Sequence, residues 1–172
     1  ATVDAMAKEG RPFTGVIFFG LMLTDDGAKV IEYNCRFGDP ETQVVLPLLE
    51  SDLLDVMAAT TNGTLANTEV KFSGKSACCV VMASEGYPKS YETGFEITLP
   101  SNPDGEIYIA GAKKDGARLV TSGGRVLGAT AVGDTLKCAV DKAYALADSI
   151  KFGNSYCRRD IGKRALDAKG DF

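Results

Sequence analysis

The chain contains no histidine among its 172 residues. That absence removes Ser-His triads, Cys-His nucleophiles, imidazole zinc sites and histidine acid–base chemistry together. No apolar run is long enough to span a bilayer, and no charged-then-apolar start of the secretory kind is present, so no membrane role is expected. Excess positive charge is also lacking: 19 Lys+Arg stand against 23 Asp+Glu, a net charge of −4. This argues against a nucleic-acid partner, because neutralising phosphates takes a cationic face. The five cysteines, Cys35, Cys78, Cys79, Cys138 and Cys157, are odd in number and include no C-x-x-C spacing. With no imidazole to complete a set, structural zinc is not expected. Mostly buried free thiols in a reducing cytoplasm are the better reading. What remains for chemistry is carboxylates, amides, Lys/Arg and backbone donors.

What is present suffices for a core. Apolar residues make up 45% and charged residues 24%, ordinary for a globular chain. The length fits one domain, or a small domain with part of another. The opening stretch ATVDAMAKEG begins at Ala1 and reads as the tail of a helix, which raises the expectation of an excised piece. Residues 12–36 read as a β-hairpin. The run 15–23, GVIFFGLML, is continuously apolar and suited to a strand covered on both faces. Asp26-Gly27 supplies turn chemistry. The return strand alternates, with Ile31, Tyr33 and Cys35 on one face and Glu32, Asn34 and Arg36 on the other. Cys35 is thereby assigned to core packing.

Beyond the hairpin, Asp39 fits an N-cap, Pro40 the first helical position and Glu41 the electropositive first turn. Leu46, Leu49, Leu53 and Met57 then form an amphipathic stripe, broken near Pro47 and recapped at Ser51 or Asp52, with Asn62-Gly63 as its end. After about Phe72 the texture changes to short strands, at 77–83, 95–99, 107–110, 117–121 and 125–132, punctuated by Pro, Asn, Asp and Gly. Asp134 or Thr135 caps a helix with Leu136, Ala139, Val140, Ala143, Ala147 and Ile150 on its core face. The tail from Tyr156 to Phe172 is basic, then mixed. The expected fold class is α+β in two parts: residues 1–68, hairpin plus helix, and 69–172, a small antiparallel β domain closed by a helix.

Residues two apart on a strand project to the same side, so Glu32 and Asn34 can share one ligand. A carboxylate with an amide carbonyl is hard, all-oxygen chemistry, suited to Mg²⁺ or Mn²⁺ held against phosphates. Arg36 could supply a bidentate contact to a carboxylate or phosphoryl oxygen. The following helix start would add oriented N–H groups. These are parts of a phosphoryl-transfer site, which needs no histidine. A partly solvated strand whose charges form surface pairs satisfies the same spacing.

The stretch 32–43, Glu-Tyr-Asn-Cys-Arg-Phe-Gly-Asp-Pro-Glu-Thr-Gln, resembles the signature of the phosphoribosylamine–glycine ligase family of ATP-grasp enzymes in purine synthesis. The likeness extends over nearly the whole chain. Residues 14–24 resemble the strand before the metal site, and Gly86-Tyr87-Pro88, Ser122-Gly123-Gly124-Arg125-Val126-Leu127 and Arg158-Arg159-Asp160-Ile161-Gly162 are similar, in order, to motifs of the family's C-terminal domain. Glu-x-Asn alone is weak, being common to ATP-grasp ligases; R-F-G-D-P-E after it is specific.

The resemblance implies ATP-dependent joining of glycine to 5-phosphoribosylamine through a glycyl phosphate. It implies Glu32 and Asn34 as Mg²⁺ or Mn²⁺ ligands bridging ATP phosphates. Arg36 would act on the transferring phosphoryl group or the glycine carboxylate, with Asp39 and Glu41 shaping the glycine and amine site and Arg125 near the cleft. Family members are more than twice this long, with a Rossmann-like start and a nucleotide-clamping lobe. The chain is therefore expected to be a C-terminal fragment, inactive without the N-terminal part of the enzyme. Another ATP-grasp carboxylate–amine ligase and a non-catalytic binding module are the alternatives. Ser122-Gly123-Gly124 lacks the helix and lysine of a phosphate loop and reads as a tight turn; Glu85 and Tyr87 read as loop residues; Arg158 and Arg159 read as surface ion pairs.

Overall fold

The computed structural model describes residues 2–168 and is α+β, with short helices set among antiparallel strands. The chain divides into two compact units, residues 2–42 with 49–72, and residues 43–48 with 73–168. Among the described residues no helix is long and apolar enough to cross a membrane.

The first unit opens with α1 (Thr2–Lys8), then pairs β1 (Phe18–Thr24) with β2 (Gly27–Asn34) in an antiparallel hairpin. Gly27 opens the return strand at φ +98°, a conformation that favours glycine. The register runs from Thr24↔Gly27 to Phe18↔Asn34 and shifts by one between Gly20 and Leu21, leaving Ile31 out of the ladder as a bulge. The apolar run was expected to be covered on both faces. It is instead largely exposed, up to 83% at Leu23, because β1 and β2 form a two-stranded sheet.

Residues 39–41 form a turn with a cis Asp39–Pro40 bond, so Pro40 is not the first helical residue. Helix α2 (Thr42–Val45) starts after it and passes at once into a 3₁₀ turn, Leu46–Leu48. The expected leucine stripe is therefore not one helical face. Leu46 lies in the 3₁₀ turn, Leu49 makes a β-bridge to Phe72, and Met57 is exposed on α3 (Leu53–Asn62). The α3 ends follow the local chemistry: the Asp52 carboxylate accepts from the N–H groups of Leu54 and Asp55, and Gly63 closes the helix at φ +72°.

The second unit is built on a four-stranded antiparallel sheet. Its order is β4 (Glu106–Ile109), β7 (Arg125–Gly133), β3 (Ser76–Ser84), β8 (Ser155–Tyr156). Helix α4 (Leu136–Ser149), capped by the Thr135 hydroxyl, buries Ala139, Val140, Ala143, Leu146 and Ala147 against the sheet residues Val80, Met82, Leu127 and Ala129. Small residues on α4 let the helix approach closely. Strands β5 (Ala112–Asp115) and β6 (Arg118–Thr121) form a separate hairpin, and a short α5 (Lys163–Asp167) follows. Segment 95–99 is not a continuous strand, because its edges bond to different neighbours, Glu96 to Val120 and Thr98 to Lys151. The end of the mixed tail, residues 169–172, lies outside the described residues.

Candidate active site

Period-2 geometry brings Glu32 and Asn34 to one side of β2, and the Asn34 amide Nδ2 donates to Glu32 Oε1 at 3.3 Å. Glu32 is exposed and Asn34 half-buried, so a ligand can reach both. Gly20 faces Glu32 across the hairpin, and a Cβ there would come within 2.9 Å of Glu32 Cγ. The glutamate side chain thus occupies the space that glycine leaves open. On the neighbouring pair, the Phe19 and Tyr33 rings meet edge-on at 5.1 Å, and the Tyr33 hydroxyl lies 3.4 Å from Thr2 Oγ1.

Strand β2 ends at Asn34, which changes the expected placement of Arg36 and Cys35. Arg36 lies in a bend, and its Nη1 donates to the Phe37 carbonyl at 2.8 Å, so strand alternation no longer sets its direction. Cys35 is exposed rather than packed in a core, because the two-stranded hairpin offers none on its side. Asp39 is exposed in the cis-proline turn. Buried Gly38 anchors that turn: its carbonyl accepts from the Thr42 N–H at 2.9 Å and from the Thr42 hydroxyl. A Cβ at Gly38 would lie 2.2 Å from Glu41 Oε2, so the Glu41 carboxylate folds back over the glycine. The expected anion site at the helix start is not formed by a long helix, since α2 has four residues and the Thr42 N–H is committed to Gly38.

Glu32 and Asn34 suit a hard divalent cation: both carry oxygen donors, they lie on one side of β2 within hydrogen-bonding distance of each other, and neither is a soft ligand. Among the described residues there is no group of three or more His, Cys, Asp or Glu side chains that could hold a metal ion. The pair therefore offers part of a coordination shell rather than a cage.

The second unit places another set of singled-out residues together. Arg125 opens β7 opposite Ala83, next to the Ser122-Gly123-Gly124 link. That link is not a hairpin turn, because β6 pairs with β5 while β7 pairs with β3 and β4. Its glycines allow close approach: a Cβ on Gly124 would lie 2.0 Å from the Tyr87 ring, and one on Gly123 would lie 3.0 Å from Gly111 Cα. Ser84 clamps the link, its N–H donating to the Gly124 carbonyl at 2.8 Å and its Oγ to the Gly123 carbonyl at 3.1 Å. Tyr87, before a cis bond to Pro88, also meets the Tyr91 ring edge-on at 6.0 Å. Arg158 pairs with Asp160 and Arg159 with Asp148, each at 2.8 Å and exposed. The Arg158 hydrogen bond holds the Asp160 carboxyl below the usual range. Sequence reasoning missed Gly20 and Gly38, whose roles depend on the register and the turn.

Comparison with known proteins agrees with this division. The family model described as phosphoribosylglycinamide synthetase, ATP-grasp (A) domain, matches residues 1–42, and that of the C domain matches residues 77–164. The chain is 48% identical over 169 residues to the phosphoribosylamine–glycine ligase of Chlorobaculum tepidum, covering 96% of this chain and 40% of the relative. It is 50% identical over 170 residues to the trifunctional purine biosynthetic protein adenosine-3 of Gallus gallus, covering 96% of this chain and 17% of that protein. Among solved structures, the phosphoribosylamine–glycine ligase of Thermotoga maritima matches with a TM-score of 0.81 and 39% identity, over 91% of this chain and 39% of that one. The chain thus spans about two fifths of the stand-alone relatives. With the C-domain match covering half its length, and the Glu32–Asn34 pair lying within the ATP-grasp match, the chain belongs to the phosphoribosylglycinamide synthetase family.

Proposed function

We propose that this chain supplies the C-terminal part of a ligase that joins glycine to 5-phosphoribosylamine with ATP, giving glycinamide ribonucleotide, ADP and phosphate in purine biosynthesis. The observation that carries the reading is the Glu32–Asn34 contact, immediately ahead of the Arg36–Glu41 segment. Residues 1–68 belong to the ATP-grasp lobe and 69–172 to the C-terminal domain, a division supported by domain matches ending at 42 and starting at 77.

In the reaction, a glycine carboxylate oxygen takes the terminal phosphoryl group of ATP and ADP leaves. The amine nitrogen of phosphoribosylamine then attacks the acyl carbon, the C–N bond forms, phosphate departs with the C–O electron pair, and the amine loses a proton. Glu32 and Asn34 would hold Mg²⁺ or Mn²⁺, which when bound would offset the negative charge of the nucleotide phosphates. The Arg36 guanidinium orients the glycine carboxylate or the moving phosphoryl group with the donors that its Nη1 bond to the Phe37 carbonyl leaves available. Asp39, held in the turn beside Gly38, borders the amine. Arg125, which opens β7, is a further candidate for a nucleotide phosphate. By itself the chain is inactive, because ATP contacts and a further metal-site carboxylate come from the rest of the enzyme. Five free cysteines fit a reducing cytoplasm.

Glu32→Ala in the complete ligase tests this. Loss of product formation by at least about 100-fold is expected, with the melting temperature unchanged because Glu32 is exposed. Near-normal turnover would remove Glu32 from the site.

A further inference from the structure

Glycine in a strand interior weakens the strand, so Gly20 in β1 calls for a reason. Its backbone supplies none, because Gly20 is not among the glycines with positive φ and any residue could adopt its conformation. Space does. The three atoms nearest to a Cβ at Gly20 all belong to Glu32: the side-chain Cγ at 2.9 Å and the backbone N and O at 3.7 Å. The close atom is the middle of the glutamate side chain, not its movable end.

Two further features bear on the same carboxylate. The bulge at Ile31 sits directly before Glu32, where the pairing shifts from Leu21↔Val30 to Gly20↔Glu32. Bulges re-aim the neighbouring side chain. Asn34 Nδ2 then meets Glu32 Oε1 at 3.3 Å. Register, bulge and amide direct the Glu32 side chain across the vacant face of Gly20.

We propose that Gly20 is a positioning residue for the metal site: its missing side chain is the channel in which Glu32 lies, and it sets where the carboxylate points. This rests on the reading of Glu32 as a metal ligand. A methyl group at residue 20 would push Glu32 aside. Since Glu32 is exposed, it can turn away without disturbing packing, so the fold is retained while the donor is displaced. Alanine also restricts the unfolded chain more than glycine does, which offsets the cost of that shift. Affinity and stability therefore respond differently, which a purely structural glycine would not produce.

The test uses the full-length ligase, Mn²⁺ titration in the presence of ADP followed by electron paramagnetic resonance, and thermal melting. Gly20→Ala is expected to weaken Mn²⁺ binding by roughly 10- to 100-fold, the range for groups that orient a metal ligand, without lowering the melting temperature. Gly74→Ala, where a Cβ meets nothing within 4 Å, leaves both unchanged. In a Glu32→Gln background, adding Gly20→Ala causes no further loss. Wild-type Mn²⁺ affinity in Gly20→Ala, or weakened affinity accompanied by a lowered melting temperature, would overturn the inference. If Glu32→Gln itself leaves Mn²⁺ binding intact, the ligand assignment fails. If Glu32→Gln weakens binding and Gly20→Ala does not, only the role of Gly20 fails.

Discussion

Strands β1 and β3 are similarly apolar, FFGLMLT against SACCVVMAS, yet their surroundings differ completely. Strand β3 lies between β7 and β8 with α4 on one face, and Val80 in it is fully buried. Strand β1 has β2 alone, and Leu21, Met22 and Leu23 are exposed. Among the described residues of the first unit only Gly38 and Ala59 are buried, whereas the second unit holds a continuous cluster from Cys78 to Phe152. A lone two-stranded hairpin is marginal in water; a sheet closed by a helix is not. The residues proposed for metal and phosphoryl chemistry sit on the unit with almost no core. Apolar composition does not make a core: layers do.

The largest expected break in that comparison comes from truncating one leucine in each unit. Leu127→Ala, at a fully buried position, should cost about 2–5 kcal/mol, through lost transfer energy and the cavity left behind. Leu23→Ala, at 83% exposure, should change stability by no more than about 0.5 kcal/mol. Urea denaturation followed by far-ultraviolet circular dichroism measures both. Equal losses would mean that the hairpin is packed as firmly as the sheet.

A smaller effect comes from the thiols. Burial, reinforced by neighbouring Cys79, pushes the Cys78 thiol from its ordinary 9.0 up to about 11. The unfolded chain therefore releases this proton first. Between pH 9 and 11 it binds fewer protons than the folded chain, and stability falls as pH rises across that window. The urea midpoint should drop over this range more in the wild type than in Cys78→Ala. At neutral pH, iodoacetamide should modify exposed Cys35 of the first unit well before buried Cys78, as peptide mass mapping would record.

Much of the second unit is legible in the sequence because short-range signals agree there. Thr135 caps α4, the alanine spacing marks its buried face, and the strands at 76–84 and 125–133 are short, mostly apolar stretches bounded by polar or glycine residues. Leu146 escapes that reading because the buried stripe is wider than a single row. In the first unit the hairpin follows from an apolar run, the Asp26-Gly27 turn and an alternating return strand, and the shared side of Glu32 and Asn34 from that alternation. The misplaced features all depend on something alternation does not carry. Arg36 departs because the strand stops at Asn34, Pro40 because its peptide bond is cis in a turn, and Cys35 because no layer covers its side. Gly20 becomes informative only once the bulged register places it against Glu32.

The central claim is that Glu32, Asn34 and Arg36 form one part of a nucleotide and metal site that needs the rest of the ligase to work. Calorimetric titration of Mg·ATP into this chain and into the complete ligase tests it most directly. Saturable binding by the complete ligase, with none detectable for the chain alone, is the predicted result. Equally tight binding by the chain alone would contradict it.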